Sequence, residues 1–432
     1  MFKTLKNAFA IPEMRRKMLY TLFIILLYRV GAAIHVPYTD YEAMQSAFNY
    51  ADGNLFAYLN ILSGDAFSKA TLFALSISPY ITSSIVIQLL TIAIPALERK
   101  SKQGEEGQKF LTQLTRLVTV ALGFLTAFGY YMYMKNYGFL TARGNTVFGA
   151  FVIILCYAAG ASLIMWLAEK INDKGIGNGI SMILFANIIA STAGGVSSMV
   201  TYALGGAWKL VLIEVLLFLA LAIVAFVVFI TNSERRLPVQ YAKKQVGRKM
   251  YGGQSTTLPI KLNMSGVMPI IFASSIVSIP STIEMIIASR LKEGGFWDKF
   301  FAVLSYNSPL YAVLFFILII AFAYFYILIS FNPIEVANNL KKNGGFIPGY
   351  RPGKPTSDYI TKVLNRITLI GALFLGVIAV APLIVNMATG SQLGSIAFGG
   401  SSLLILVGVI LETARELEAQ MSMRHYKGFL DK

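Results

Sequence analysis

The sequence predicts an all-α integral membrane protein with ten transmembrane helices. Three observations carry that prediction. Of the 432 residues, 56% are apolar and only 13% charged, with a mean hydropathy of +0.64. A water-soluble domain has roughly 45–50% apolar and about 25% charged residues. The apolar residues also fall in long runs of about 20, the length that crosses a hydrocarbon core. Finally, Lys and Arg gather in alternate loops between those runs, as they do where loops take sides of a membrane.

In chain order the runs are 18–36, 75–95, 114–134, 147–167, 179–199, 210–230, 266–288, 309–331, 367–387 and 400–418. The first follows Lys and Arg, as in a signal peptide. No small-residue cleavage site clearly closes it, so it is expected to stay as span 1. The fifth and tenth are the richest in small or polar residues. The N-terminus, the loops after spans 2, 4, 6 and 8, and the C-terminal end hold most of the basic residues. The opposite loops and adjoining span ends hold only Lys69, Lys135, Arg143, Lys209, Arg290, Lys292 and Lys299. The positive-inside rule then places both termini in the cytoplasm. Spans 1–5 and 6–10 form halves of odd membership, 1–205 and 206–432, so any repeat between them is inverted.

The loops differ in kind. Residues 231–265 and 332–366 are long, basic and rich in turn residues, which suits ordered, hairpin-like structures. Residues 37–74 lie on the outer side yet carry Leu55, Phe56, Leu59, Ile61, Leu62, Phe67 and Leu72, interrupted by Ser63, Gly64 and Asp65. That stretch is too short and broken to span. It reads equally as a re-entrant half-helix over 55–72 filling a cavity and as an amphipathic segment on the outer surface.

Much chemistry is excluded. The single cysteine, Cys156, rules out an internal disulfide or a thiolate cluster. The only histidines are His35 and His425, and no metal set or Ser/His/Asp constellation assembles around them. No cofactor is expected. Lys174 to Gly179 superficially looks like a phosphate-cradling loop, but it lacks the GK[ST] ending and reads as a tight turn between spans. Charges inside a membrane mark ion pathways. Here Arg29 is the one charge well inside a span, with Glu214, Glu284 and Glu412 towards span ends. Spans 2 and 7 are nonetheless rich in hydroxyls, in LSISPYITSSIVIQLLT and GVMPIIFASSIVSIPST. Such helices suit a protein interface or a wet cavity. A conduit for a variable, non-reacting cargo fits better than an enzyme. The alternative is a secondary transporter with an inverted repeat, for which no ion or substrate site is visible. The net charge of +16 calls for an acidic partner: anionic lipid, nucleic acid or an acidic protein surface.

Several motifs bear on this choice. They are Leu72-Phe73-Ala74-Leu75 with Pro79-Tyr80-Ile81, Gly175-Ile176-Gly177-Asn178-Gly179-Ile180-Ser181, and Leu258-Pro259-Ile260-Lys261. The most specific set is Asn332-Pro333, Asn339-Leu340-Lys341-Lys342, Ile347-Pro348-Gly349 and Arg351-Pro352-Gly353. Together they resemble the SecY family, the central subunit of the bacterial protein-translocation channel, over essentially the whole chain. The resemblance implies a clamshell of two pseudo-symmetric halves around an hourglass pore. Its waist falls on Ile77, Ile81, Ile180, Leu184, Ile271 and Ile405, and the spacings of four put each pair on one helix face. Leu184 departs from an all-isoleucine ring. The plug falls on Leu55, Phe56, Leu59, Ile61, Leu62, Ser63, Gly64, Asp65 and Phe67, which favours the re-entrant reading. Asp65 stands where the family usually has a small residue.

A lateral gate between spans 2–3 and 7–8 is implied, with Thr82, Gln88, Ser275 and Ile279 as its lining. Gln88 is also read as a buried interhelical hydrogen bond that could hold the gate shut. Arg248, Lys249, Lys341, Lys342, Tyr350 and Arg351 fall in the docking loops for the SecA motor and the ribosome, where basic residues meet ribosomal RNA through phosphate contacts. The implied function is secretion of unfolded polypeptides across the bacterial cytoplasmic membrane and lateral insertion of helices into it. SecA or the ribosome supplies the energy, and the chain itself is not an enzyme. The other implied partners are SecE-type and SecG-type small membrane subunits, signal sequences, nascent polypeptides and anionic lipids.

Overall fold

The structure is a computed structural model that describes all residues except 1, 51–59, 61–62, 204–206, 242–243, 247–248, 252–254, 288–294, 306–307, 390–399 and 431–432. The chain is helical apart from a small amount of sheet. Its elements are α1 (Phe2–Ala10), α2 (Pro12–Gly31), α3 (Tyr41–Tyr50), α4 (Ser78–Ala93), α5 (Pro95–Ser101), α6 (Glu105–Asn136), α7 (Val147–Lys174), α8 (Gly179–Ala203) and α9 (Ala207–Asn232). Then come β1 (Glu234–Tyr241), β2 (Lys244–Val246), β3 (Lys249–Tyr251) and β4 (Ser255–Lys261). The rest are α10 (Met268–Ile287), α11 (Phe296–Val303), α12 (Pro309–Ser330), α13 (Pro333–Lys342), β5 (Gly345–Phe346), α14 (Lys354–Thr389) and α15 (Gly400–Leu430).

Every expected span meets a helix: α2, α4, α6, α7, α8, α9, α10, α12, α14 and α15, in order. Among the described residues, four stretches are long and apolar enough to cross a membrane unaided: Glu105–Asn136, Val147–Lys174, Pro309–Lys342 and Lys354–Ile384. The pair α4 and α5 passes together, bent by 105° at its break. Pro95 causes the bend, because proline cannot continue a helix but readily opens one. α2 is excluded by its charges, Arg15, Arg16, Lys17 and Arg29. The surface is inside-out for a soluble protein. Phe148 is 68% exposed, Phe218 76% and Leu328 75%, which suits hydrocarbon rather than water.

Boundaries shift where local chemistry demands it. Span 1 was expected to run to residue 36, but α2 ends at Gly31. The chain then turns so that Val36 N donates to Ala70 O at 3.1 Å and Leu72 N to Ile34 O at 2.8 Å. Span 2 was expected from residue 75, yet its helix starts at Ser78, because Ser76 has a φ of 52°. Thr146 and Ser308 begin α7 and α12 by accepting from Gly149 N and Leu310 N.

The two basic loops are one structure. β1 pairs antiparallel with β4, from Glu234 with Lys261 to Gln240 with Ser255. It also pairs with β5 of the second loop through Gln240 with Phe346 and Tyr241 with Gly345. Leu237 and Val239 alternate with exposed neighbours along β1 and sit in a buried cluster with Ile260, Ile347, Ile360 and Leu364. That cluster roots the sheet on α14.

Candidate pore, plug and gate

The six expected waist residues come from four helices. α4 and its first turn carry Ile77 and Ile81, α8 carries Ile180 and Leu184, α10 carries Ile271 and α15 carries Ile405. All are buried, none more than 9% exposed, and all belong to one apolar cluster. The hydroxyls nearby do not interrupt it. Ser83 Oγ donates to Pro79 O at 2.7 Å, while Ser274 Oγ and Ser275 Oγ each donate to Ile271 O at 2.9 Å. Returning the hydroxyl to its own helix backbone consumes its polarity, so serine-rich spans still present an apolar meeting surface.

The glycine-rich turn before α8 places two of these residues. Several of its amides are engaged by side chains, and Gly175 N donates to Ile171 O at 2.8 Å. Ile176 N donates to Thr21 Oγ1 at 3.0 Å, Gly177 N to Glu416 Oε2 at 3.0 Å, and Gly179 N to Asn172 Oδ1 at 2.7 Å. Ile180 N donates to Asn178 Oδ1 at 3.0 Å. Gly177 has a φ of 83°, which a side chain would strain. The turn is thus a junction of α2, α7, α8 and α15, built by these amide contacts.

From Ser63 to Ile77 the chain is enclosed by protein. Ser63, Ala66, Phe67, Ser68, Ala70, Thr71, Phe73 and Ala74 are all buried. The surface-lying alternative therefore does not hold for this part. From Gly64 onward it runs in tight turns rather than the expected half-helix, with positive φ at Gly64, Asp65, Ala70 and Ser76. Asp65, at 66°, is a residue type that tolerates this conformation. Its Oδ1 accepts from Asn60 Nδ2 at 3.0 Å, and Asn60 Oδ1 accepts from Ser68 N at 2.9 Å. Ser63 Oγ accepts from Phe67 N at 3.0 Å. Leu55, Phe56, Leu59, Ile61 and Leu62 lie outside the described residues.

Residues not anticipated from the sequence hold this segment. Tyr130 of α6 packs its ring at a 43° tilt against Phe67, ring centroids 4.6 Å apart, and donates to Phe67 O at 2.6 Å. Tyr157 of α7 donates to Ala70 O at 3.3 Å. Asn187 Nδ2 of α8 donates to Ser76 Oγ at 3.3 Å. The guanidinium of Arg29 donates to Gly64 O at 3.4 Å and to Ala186 O. Only Arg29 had stood out, as an unexplained charge. The run YYMYMK at the end of span 3 was the available signal for Tyr130.

At the expected gate, α10 packs against α4 and α6, so the seam between the halves is shut. Thr82 Oγ1 donates to Ser78 O at 3.1 Å and Ser275 Oγ to Ile271 O, each within its own helix. Ile279 is 39% exposed, at the edge of the packed face. Gln88 does not make the expected interhelical bond. Its Nε2 donates to Ser84 Oγ at 3.3 Å, one turn back on α4. The seam is held by apolar packing there.

In the second loop, Asn332 caps α13 by accepting from Ile334 N and Glu335 N, with Pro333 at the first helical position. Lys341 and Lys342 end that helix, both exposed. Gly349 and Gly353, at φ of 88° and 107°, bracket Tyr350 and Arg351. Tyr350 stacks on Tyr359 with centroids 4.1 Å apart. Arg351 is exposed, while its carbonyl accepts from Thr356 Oγ1 at 2.8 Å. These contacts hold the turn while the Arg351 side chain stays exposed. Lys249 lies in β3, and Arg248 lies outside the described residues.

Comparison with known proteins agrees with this geometry. A family model for SecY matches residues 71–414. The chain is 42% identical, over 443 aligned residues and 100% of both chains, to the protein translocase subunit SecY of Streptomyces galbus. It is 43% identical over 433 residues, 97% of each, to that of Mycobacterium tuberculosis H37Rv. Among solved structures, a protein-conducting channel superposes with a TM-score of 0.66 at 17% identity, covering 94% of this chain and 92% of the other. Sec61 in a canine ribosome–channel complex superposes with a TM-score of 0.62 at 16% identity, with coverage of 94% and 92%. Helices, buried apolar cluster and full-length similarity converge: the chain belongs to the SecY family of protein translocase subunits.

Proposed function

We propose that the six waist residues form the constriction through which the unfolded chain passes, with 55–72 as the plug above. One observation carries this reading: side chains from four helices and both halves meet in a single buried apolar cluster. Branched aliphatic side chains make no directional bonds, so they fit any sequence and exclude water around it. The halves are 1–205 and 206–432, and the seam lined by Thr82, Gln88, Ser275 and Ile279 opens to release helices into lipid. The cargo is a signal sequence or nascent polypeptide.

The chain acts in the bacterial cytoplasmic membrane with both termini in the cytoplasm, which the distribution of Lys and Arg supports. The joined sheet, with Arg248, Lys249, Lys341, Lys342, Tyr350 and Arg351, receives SecA and the ribosome. A relative in a ribosome-bound complex supports the second of these. An apolar groove lined by Met18, Leu22, Ile25, Phe185, Ile410 and Leu417 suits the helix of a SecE-type subunit. A SecG-type subunit and anionic lipids complete the assembly.

The test uses a secretory precursor arrested midway, with photo-crosslinkable residues placed at Ile81 and Ile405 in turn. Both positions should capture the precursor, and the outward-facing Leu163, 45% exposed, should not. Capture at Leu163 in preference to the other two would place the pathway elsewhere.

A further inference from the structure

Arg29 lies near the outer end of α2, and a charge at membrane depth needs partners. Its partners are two main-chain carbonyls from distant parts of the chain. One is Gly64 O, in the segment proposed as the plug, and the other is Ala186 O, on α8 just beyond the waist residue Leu184. A guanidinium is a planar fork of five donors, suited to bridging two acceptors. Because both acceptors are backbone, Arg29 supplies the only side chain in the bridge.

Gly64 is shaped for this contact. Its φ is 64°, and a Cβ there would lie 2.8 and 2.9 Å from the guanidinium nitrogens and 3.0 Å from Asn187 Cα. Segment, guanidinium and α8 therefore meet with no room for a methyl group. Asp65 adds longer-range attraction to Arg29, and Asn60 fixes that carboxylate. The other ties to the segment, from Tyr130, Tyr157 and Asn187, also come from spans of the first half.

We infer that Arg29 is a positioning residue that fastens the plug segment to α8, so that the segment travels with the first half and leaves the pore only when this bridge breaks. The inference rests on the proposed plug reading. It has a consequence for gating: parting the two halves does not by itself free the segment, because these ties do not cross the seam. A second event, a shift of α8 relative to α2, is needed.

The experiment uses two readouts in a Cys156→Ser background. Ser68, 5% exposed, is replaced by cysteine and labelled from outside with a membrane-impermeant maleimide, which reports whether the segment is seated. Resting conductance in planar bilayers reports whether the pore is sealed. Arg29→Gln should raise both by about tenfold or more, the scale of one lost charge-assisted hydrogen bond. Arg29→Lys should fall between, and Gly64→Ala should act in the same direction from the other side of the contact. Gly64→Ala should add less in the Arg29→Gln background than alone, because the two act at one contact. Should the glutamine variant fail to accumulate, the lysine and alanine variants give the same two readings. Unchanged labelling overturns the role of Arg29 and leaves the plug reading intact. Faster labelling at unchanged conductance shows that Arg29 seats a segment that does not seal, which overturns the plug reading instead.

Discussion

Ile405→Asn tests the waist directly. Ile405 is 1% exposed, in the cluster that holds Ile77, Ile81, Ile180, Leu184 and Ile271. Removing the buried isoleucine side chain withdraws about 1.5–3 kcal/mol from the dry, closed state. The amide that replaces it enters a buried cluster of apolar side chains. Leaving it unpaired adds about 1–3 kcal/mol. The wetted state thus gains roughly 2.5–6 kcal/mol relative to the dry one, or about two to four powers of ten in population. Ile405→Val keeps the shape and loses one methyl group, at about 0.5–1.5 kcal/mol, or roughly one power of ten at most. The assay is resting ionic conductance of purified channels in planar bilayers. The order should be wild type, then Val, then Asn, with the widest gap at Asn. Wild-type conductance in the Asn variant would refute the constriction. Equal leakage from Val and Asn would refute the wetting argument, because it would show general loosening rather than a response to polarity.

Three further outcomes follow from other parts of the molecule. Cysteines at Thr82 and Ile279 should bridge in the resting channel if their Cα atoms lie within about 7 Å, and the bridge should block export until reduced; efficient bridging with normal export would place the sideways opening elsewhere. Arg351→Glu should leave the protein folded, since the contact at that residue is made by its carbonyl, yet abolish SecA-driven transport into vesicles, with Arg351→Lys between the two; near-normal transport by the Glu variant would remove Arg351 from the docking surface. Gly160→Val should prevent normal assembly, because a Cβ there would lie 2.0 Å from Leu72 O, where the buried segment crosses α7; unchanged thermal stability would contradict that close approach.

What the sequence made legible follows from the range of each interaction. The spans could be read because hydrocarbon imposes the same requirement on each of them separately. Their ends could not, because Gly31 lies against Phe73 and Ser76 meets Asn187, contacts made far along the chain. The alternation of Leu237 and Val239 is a local strand signal, but nothing local announces that β1 also pairs with Phe346 in the other loop. The interrupted apolar stretch 37–74 was ambiguous for the same reason: a buried segment and a surface segment share one pattern until Tyr130 and Tyr157 are seen to cover it. Gln88 shows the opposite error. A polar residue in a span suggests a partner on another helix, whereas Ser84, one turn away, was close enough to satisfy it. Arg29 was conspicuous alone, but its acceptors lie 35 and 157 residues further on.

A channel for chains of any sequence must be sealed at rest without specific recognition, and the structure divides that task by chemistry. At the waist the contacts are aliphatic and reversible, so each passing side chain replaces one apolar contact with another. In spans 2 and 7 the hydroxyls are turned back onto their own helices, which keeps the seam weakly bonded: α10 leans on α4 and α6 through packing that lipid-facing or cargo side chains could replace. Directional hydrogen bonds are concentrated instead where the parts of one half meet, at the glycine turn joining α2, α7, α8 and α15 and around Gly64 to Ser76. The exception is instructive. Among the described residues, Gly177 N bonds to Glu416 and Lys17 Nζ to Gln420, both on α15, so the ties between the proposed halves lie together at one edge, away from the expected gate. Helices tied at one edge and merely packed at the other can part only as a hinge does, about the tied edge. On the proposed reading, the distribution of hydrogen bonds, more than the shape of the pore, would set the direction in which the two halves part.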